Sequence, residues 1–202
     1  MPGKKESLEI VLRYFDAVFV DSSFMTYLGR SEGFYSVDKR LLDRALEVWR
    51  ENSGLFRRYN EELKVYTTNG IIQELNEFAL ALEEASYKKK QTLRANKLKS
   101  MSDLVKDTAD TLIVYPFRAY IQVVRYDGAS DNDISLISAM LHFLVDNNRS
   151  TSTIITKDSD ISKSYGLTIS GFDEGLRANI SRRGKIYWYD YKQNLLEKVV
   201  IN

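Results

Sequence analysis

Ile154-Ile155-Thr156-Lys157-Asp158-Ser159-Asp160-Ile161 is the stretch on which the reading of the chain turns. A short β-branched run climbs directly into a polar turn that carries two acidic residues. A buried strand ending in carboxylates is unusual unless something positively charged stands beside it, because an isolated buried anion is very costly. Near the start, Ala17-Val18-Phe19-Val20 runs into Asp21-Ser22-Ser23 and repeats the device. Two such strand ends, far apart in sequence, predict an acidic pocket assembled from the strand ends of one sheet.

The composition narrows what that pocket can do. A chain of 202 residues with 44% hydrophobic content supports one α/β domain with a real core and excludes wholesale disorder. Two prolines and ten glycines leave little material for flexible linkers, so a single domain over residues 1–202 is expected. With no cysteine there are no disulfides, thiolate metal sites or cysteine nucleophile, and one histidine, His142, excludes mechanisms that need several imidazoles. The net charge of +1 creates no global field for nucleic acid, so any polyanion must be met by local clusters. Met1-Pro2-Gly3-Lys4-Lys5-Glu6 lacks the apolar stretch of a signal peptide and no later run approaches a membrane span, which predicts a cytoplasmic location and no membrane partner.

Taken in order, Leu8, Val11, Leu12 and Phe15 form a helical stripe within residues 5–15, and the first strand is Ala17 to Val20. Gly29, Ser31, Gly33 and Ser36 read as a loop. A helix from Asp38 through Leu41, Leu42, Ala45, Leu46 and Trp49 is expected to stop near Ser53-Gly54. Leu63 to Thr68 reads as a second strand feeding a helix from Asn69 and Gly70, with Ile71, Leu75, Phe78, Ala79 and Leu82 on its buried face and Glu74 in its first turns. The basic run from Lys88 to Lys99 reads as an exposed helix projecting from the core. Residues 101–126, broken by Pro116, read as two helices meeting at a bend. Ser130-Asp131-Asn132-Asp133 is a helix start, with Leu136, Ile137, Met140, Leu141 and Leu144 behind it. After Thr153–Thr156 a short helix and a strand at Leu167-Thr168-Ile169 are expected. Lys185–Tyr189 and Leu195–Ile201 then form a C-terminal hairpin or sheet-edge addition. Strands alternating with helices imply a mostly parallel sheet.

Asp21, Glu74, Asp133 and Asp158, with Asp160 as a fifth, are the candidate site residues. Several carboxylates cannot stand close together as anions without a cation. Oxygen-only ligands favour Mg²⁺ or Mn²⁺ over zinc, and such an ion supports attack on a phosphodiester. Ser22, Ser23 and Thr156 are placed to orient ligands or waters around it.

Val20-Asp21-Ser22-Ser23-Phe24, Ile71-Ile72-Gln73-Glu74-Leu75, Ser130-Asp131-Asn132-Asp133-Ile134-Ser135-Leu136-Ile137-Ser138-Ala139 and Ile155-Thr156-Lys157-Asp158-Ser159-Asp160 resemble, in order, the four acidic motifs of PIN domains. The resemblance covers roughly residues 16–170. It implies a three-layer α/β/α sandwich with a mostly parallel central sheet, and metal-dependent endoribonuclease activity on an RNA substrate. It also implies a metal site at Asp21, Glu74, Asp133 and Asp158, with Asp160 as a frequent additional acid. The chain departs from compact members in an N-terminal helix, an inserted helical segment at about 84–128 and the C-terminal hairpin at about 185–201.

Each feature also has a structural reading. Asp21 can begin a turn, Glu74 can be a solvated helical acid, Asp133 stands at capping-box spacing from Ser130, and Asp158-Ser159-Asp160 can be an Asx turn. Lys88, Lys89, Lys90, Arg94 and Lys97 are candidate RNA contacts or a solvated face. Tyr187, Trp188 and Tyr189 read as sheet packing, and His142 as a surface pair with Asp146. Two alternatives to a nuclease stand: a non-catalytic PIN-like scaffold for RNA or a protein, and a phosphatase of the haloacid-dehalogenase type. The latter wants a second acid two residues after the nucleophile, where this chain has Ser23. A toxin role would bring an antitoxin partner and a homodimer; a processing role would not require them.

Overall fold

The strand and helix signals of the sequence assemble into one sheet covered on both faces. A computed structural model describes residues 5–24, 26, 39–62, 64–89, 92–116, 121–190, 193 and 195–199. The loop expected around Gly29 to Ser36, Lys90, Phe117 and Ile201 lies outside them. The strands are β1 (Lys5–Glu6), β2 (Ala17–Val20), β3 (Val65–Thr67), β4 (Ile113–Val114), β5 (Ser152–Thr156), β6 (Gly184–Asp190) and β7 (Leu195–Lys198). The helices named below are α1 (Leu8–Tyr14), α2 (Lys39–Asn60), α3 (Asn69–Lys88), α4 (Leu93–Thr111), α5 (Asp131–Asp146), α6 (Ser159–Ser170) and α7 (Glu174–Arg183).

Across the sheet the order is β1-β7-β6-β5-β2-β3-β4. From β4 to β6 the pairings are all parallel, while β7 is antiparallel to both β6 and β1. The chain leaves β2 towards β3 and β4 on one side and returns to β5 and β6 on the other. The order therefore reverses between β2 and β5, and the crevice beyond their carboxyl ends is where such sheets bind ligands.

Side-chain alternation divides the core into two layers. Val18, Val20, Val65 and Ile155 point to one face and pack with α1, α2, α3 and α4. Ala17, Phe19, Ile154 and Ile186 point to the other and pack with α5, α6 and α7. The result is a three-layer α/β/α sandwich. Phe19 is fully buried, with ring centroids 5.4 Å from Tyr115, 5.6 Å from Tyr66 and 6.3 Å from Phe143. It joins a middle strand of the sheet to α5 and to the segment after β4.

Several local expectations give way to packing. The N-terminal helix begins only at Leu8, because Lys5 and Glu6 pair with β7. α2 runs through Ser53-Gly54 to Asn60. A mid-helix glycine costs about 1 kcal/mol, less than the roughly 2–3 kcal/mol gained by burying Phe56, with Tyr59 buried beyond it. The basic segment does not project. α4 lies against α3 and α2 through Ala95, Leu98, Met101, Ser102, Val105, Thr108 and Ala109, a helical stripe of mostly small residues. Residues 101–126 are not two helices: α4 ends at Thr111, Ile113 and Val114 join the sheet edge, and residues 121–126 form neither helix nor strand. Leu167-Thr168-Ile169 is helical, being the last part of α6. α7 follows where no element was anticipated. The hairpin β6–β7 forms as expected, but β6 itself pairs in parallel with β5 and belongs to the main sheet.

Arg183 shows how the second layer is locked. Its residue is buried, and its guanidinium donates to Leu144 O (2.8 Å), Asn147 O (2.9 Å), Ser150 O (2.9 Å) and Asn179 Oδ1 (2.8 Å). Three of these are carbonyls at the end of α5 and in the turn into β5, of which Leu144 O is buried and Asn147 O also accepts from Ser150 N. Replacement by Met leaves Leu144 O without this donor, so Arg183→Met is expected to lower stability by about 2 kcal/mol. Urea denaturation should show a lower midpoint with an unchanged slope.

Candidate functional site

The register of β2 and β5 positions the site. Val20 stands opposite Ile155, and the Asp21 amide donates to Ile155 O at 3.1 Å, so Asp21 emerges beside Thr156 at the carboxyl edge. Asp21 is 2% exposed. Its Oδ2 accepts from Thr156 Oγ1 at 2.8 Å and from Ser23 Oγ. Those hydroxyls accept in turn from backbone: Lys157 N donates to Ser23 Oγ at 2.9 Å, and Asp158 N to Thr156 Oγ1 at 2.8 Å. Two serine and threonine hydroxyls thus relay the turn's N–H groups onto one buried carboxylate.

Glu74, half-buried in the second turn of α3, accepts from Ser22 Oγ and from Asn132 Nδ2 at 2.8 Å. The Asn132 amide lies so close over Gly70 that any Cβ there would overlap it, which makes glycine the fitting residue at the start of α3. Asp133 occupies the first turn of α5 in a reciprocal capping box: Ser130 N donates to its Oδ2 at 2.6 Å, and Asp133 N donates to Ser130 Oγ at 3.2 Å. Asp158 is the N-cap of α6, its Oδ1 accepting from Asp160 N at 2.7 Å. Asp133 and Asp158 therefore each lie at a helix N-terminus, where partial positive charge favours an anion, with Glu74 one turn further into its helix.

Burial pushes Asp21 up to about 7, with the neighbouring charges of Asp133 and Glu74 adding to the rise and the Ser23 and Thr156 hydroxyls opposing it. Asp133 is also raised, by burial first, then by Asp158 and Glu74, against its bonds to Ser130. These mutual effects place Asp21, Glu74, Asp133 and Asp158 in one electrostatic group. Among the described residues none of the four forms an ion pair. Thr68, at the carboxyl end of β3, adds a buried hydroxyl with no hydrogen-bond partner among the described residues.

Asp160 faces elsewhere. Its Oδ1 pairs with Lys163 Nζ at 2.8 Å and accepts from Ser159 Oγ at 3.3 Å, while its Oδ2 lies against Gly128. The candidate RNA contacts are also remote from the acids. Lys88 is fourteen residues beyond Glu74 along α3, about 21 Å at helical rise, and Lys88 and Lys89 are exposed at that far end. Lys97 is ion-paired with Asp43 and binds α4 to α2, and Arg94 sits half-buried on the first turn of α4. His142 does pair with Asp146 (3.4 Å), but it is buried rather than on the surface, with its ring 6.0 Å from that of Tyr115. α5 is covered nearly all round, so a position off its main stripe is still interior. Tyr187 and Tyr189 are buried in the sheet, whereas Trp188 is 39% exposed under the Lys157 ammonium.

The donor set fits a hard divalent cation in kind, since every group is an oxygen and the buried carboxylate has only hydroxyl partners. The side chains are not drawn into a closed shell: among the described residues no three acidic or histidine side chains are grouped closely enough to hold one ion. Hydroxyl, amide and capping bonds occupy oxygens on all four carboxylates. Sequence reasoning missed Asn132, although it directly precedes Asp133 on the first turn of a helix. Its signal was the side-chain-free Gly70 across from it, which only the tertiary structure reveals.

No family model, curated protein or solved structure matches this chain, and the site is read from its own geometry.

A stability profile follows from Asp21. Its folded-state value lies above the 3.8 of a free carboxyl, so the folded chain holds the proton more tightly than the unfolded one. The associated stability is full below about pH 4 and is lost as pH rises through about 7, by roughly 4 kcal/mol. Asp21→Asn removes that loss. It is expected to melt above wild type at pH 8 and near it at pH 4, as followed by circular dichroism across the pH range.

Proposed function

We propose that this chain is a Mg²⁺- or Mn²⁺-dependent endoribonuclease of PIN-like type. The observation that carries the reading is the buried Asp21 carboxylate at the β2/β5 switch point, electrostatically coupled to Glu74 and Asp133 and partnered only by hydroxyls. A pocket of this kind retains a destabilising anion at neutral pH, which is understandable where the anion serves a cation. Asp21, Glu74, Asp133 and Asp158 are the residues to hold it. Ser22, Ser23, Thr156 and Asn132 fix the carboxylate orientations through the bonds described above. A divalent ion bound there supplies an activated water and neutralises charge on the phosphodiester under attack. Asp21, the most buried of the group, anchors the site from the sheet; Asp133 and Asp158 approach from helix starts, and Glu74 from one turn further in. Asp160, engaged by Lys163, contributes at most from the rim.

A non-cutting role in binding RNA or a protein partner has one observation in its favour: each of the four carboxylates already accepts a hydrogen bond within the protein. The two readings separate in a single assay. Wild type incubated with Mn²⁺ and a mixture of structured and single-stranded RNAs is expected to produce internal cleavage. Asp21→Asn and Asp158→Asn should lose that activity while keeping the wild-type circular dichroism spectrum. Mn²⁺ should also raise the melting temperature of wild type and leave that of Asp21→Asn unchanged. Equal cleavage by wild type and both variants would exclude the metal-site reading, and absence of both cleavage and Mn²⁺ stabilisation would favour the scaffold.

A further inference from the structure

At the opposite end of β6 from Trp188, a pocket of about 210 Å³ opens between α6, α7 and the β6–β7 pair. Its apolar wall is Ile169, Ile186 and Val199; Tyr165, Ser181, Lys185 and Lys198 are its polar lining residues. Gly184 begins β6 opposite Ser152, the first residue of β5, so the pocket lies at the amino edge of the sheet. The carboxylate group of Asp21 and Asp158 lies at the carboxyl edge, and the two sites are separate.

Three features of the pocket are unresolved by the fold itself. Tyr165 is 1% exposed, yet its buried hydroxyl has no hydrogen-bond partner among the described residues. An unpaired buried hydroxyl is destabilising, so its persistence calls for an acceptor. Lys185 and Lys198 both line the same space, and among the described residues neither has a carboxylate partner. The half-buried Lys185 reaches only the carbonyl of Ser181, and burial together with repulsion from Lys198 lowers its proton affinity. Finally, Gly184 lets Tyr165 pack close: a Cβ there would stand 2.6 Å from the Tyr165 hydroxyl, 2.8 Å from Leu144 Cδ1 and 3.2 Å from Ile180 O, so a larger residue would displace the hydroxyl.

We infer that this pocket binds a small organic carboxylate with an apolar body, whose carboxylate meets Lys185, Lys198 and the Tyr165 hydroxyl. The anion answers two like charges and an unused donor at once, and the apolar part covers Ile169, Ile186 and Val199. An inorganic anion would satisfy the charges but leave that wall wet. A neutral ligand would leave the lysines in mutual repulsion. The volume admits a molecule of one ring or a short branched chain.

The test uses the full chain with labelled isoleucine and valine methyl groups, and benzoate as the probe. Benzoate is expected to produce saturable shifts at the Ile169, Ile186 and Val199 methyls. Benzyl alcohol should bind about tenfold more weakly, and Lys185→Gln and Lys198→Gln should each weaken benzoate by about tenfold, the loss of one charge-assisted hydrogen bond. Tyr165→Phe, which removes only the orphaned hydroxyl, should weaken benzoate while leaving the fold intact. Benzoate binding that does not saturate, or that is the same in Lys185→Gln, Lys198→Gln and wild type, would overturn the inference. So would displacement of benzoate by an equal concentration of inorganic phosphate, because the apolar wall would then contribute nothing.

Discussion

Thr156 Oγ1 donates to Asp21 Oδ2 across the join between β5 and β2, and the rest of the candidate site is arranged around that bond. A carboxylate buried at a sheet edge is tolerated only if donors reach it. Here they reach it indirectly, through hydroxyls that are themselves oriented by the N–H groups of Lys157 and Asp158. The parallel register fixes both partners at the same height. A slip of one residue would turn Asp21 to the opposite face of the sheet and leave Thr156 without its acceptor. The site thus inherits its geometry from strand pairing rather than from loops.

The two strands and their acids were legible in the sequence because their signals are local. Four apolar residues ending in Asp21, and a β-branched run ending in Asp158, need no knowledge of their neighbours. The starts of α3 and α5 were equally plain, since a glycine-led handover and a Ser130–Asp133 cap are written within a few residues. What could not be seen depends on partners distant in sequence. The face of α4 that packs mixes Leu98, Met101 and Val105 with the small or polar Ala95, Ser102, Thr108 and Ala109, so the basic residues dominate its pattern in the sequence. Leu167 to Ile169 has strand-like composition, but Ser164 and Thr168 belong to a helical surface. Arg183 looks like part of a basic patch until α5 supplies the carbonyls it caps. Asn132 carries no sequence signal of its bridge to Glu74, a contact spanning 58 residues.

Hydroxyl side chains perform a second task with the same physics. The chain from Ile121 to Tyr126 pairs with no strand among the described residues, and several of its backbone groups bond to helix hydroxyls instead. Ile121 exchanges hydrogen bonds with Ser138 Oγ (3.0 and 3.1 Å), Val124 N donates to Thr168 Oγ1 (2.9 Å) and Tyr126 N donates to Ser164 Oγ (3.0 Å). Two helices thereby act as the pairing edge for an irregular segment. That segment leads to Gly128, which lies against Asp160, and to Ser130, which caps α5. The same serine and threonine chemistry therefore positions the approach to Asp133 and Asp158 and orients Asp21 itself.

The bond between Thr156 and Asp21 spans 135 residues of chain, and this separation sets when the acidic group can exist. The helical pair α3 and α4 is joined by a short connection and can form as soon as both segments are made. β2 must wait for β5. Closing a loop of that length costs roughly 4 kcal/mol in chain entropy before any pairing is gained. During synthesis from the N-terminus, β2 emerges early and holds its carboxylate without Thr156 until most of the chain has followed. Assembly of the site therefore reports the docking of β5: a nascent chain that stops short of β5 has Asp21, Glu74 and Asp133 but no edge on which to bring them together.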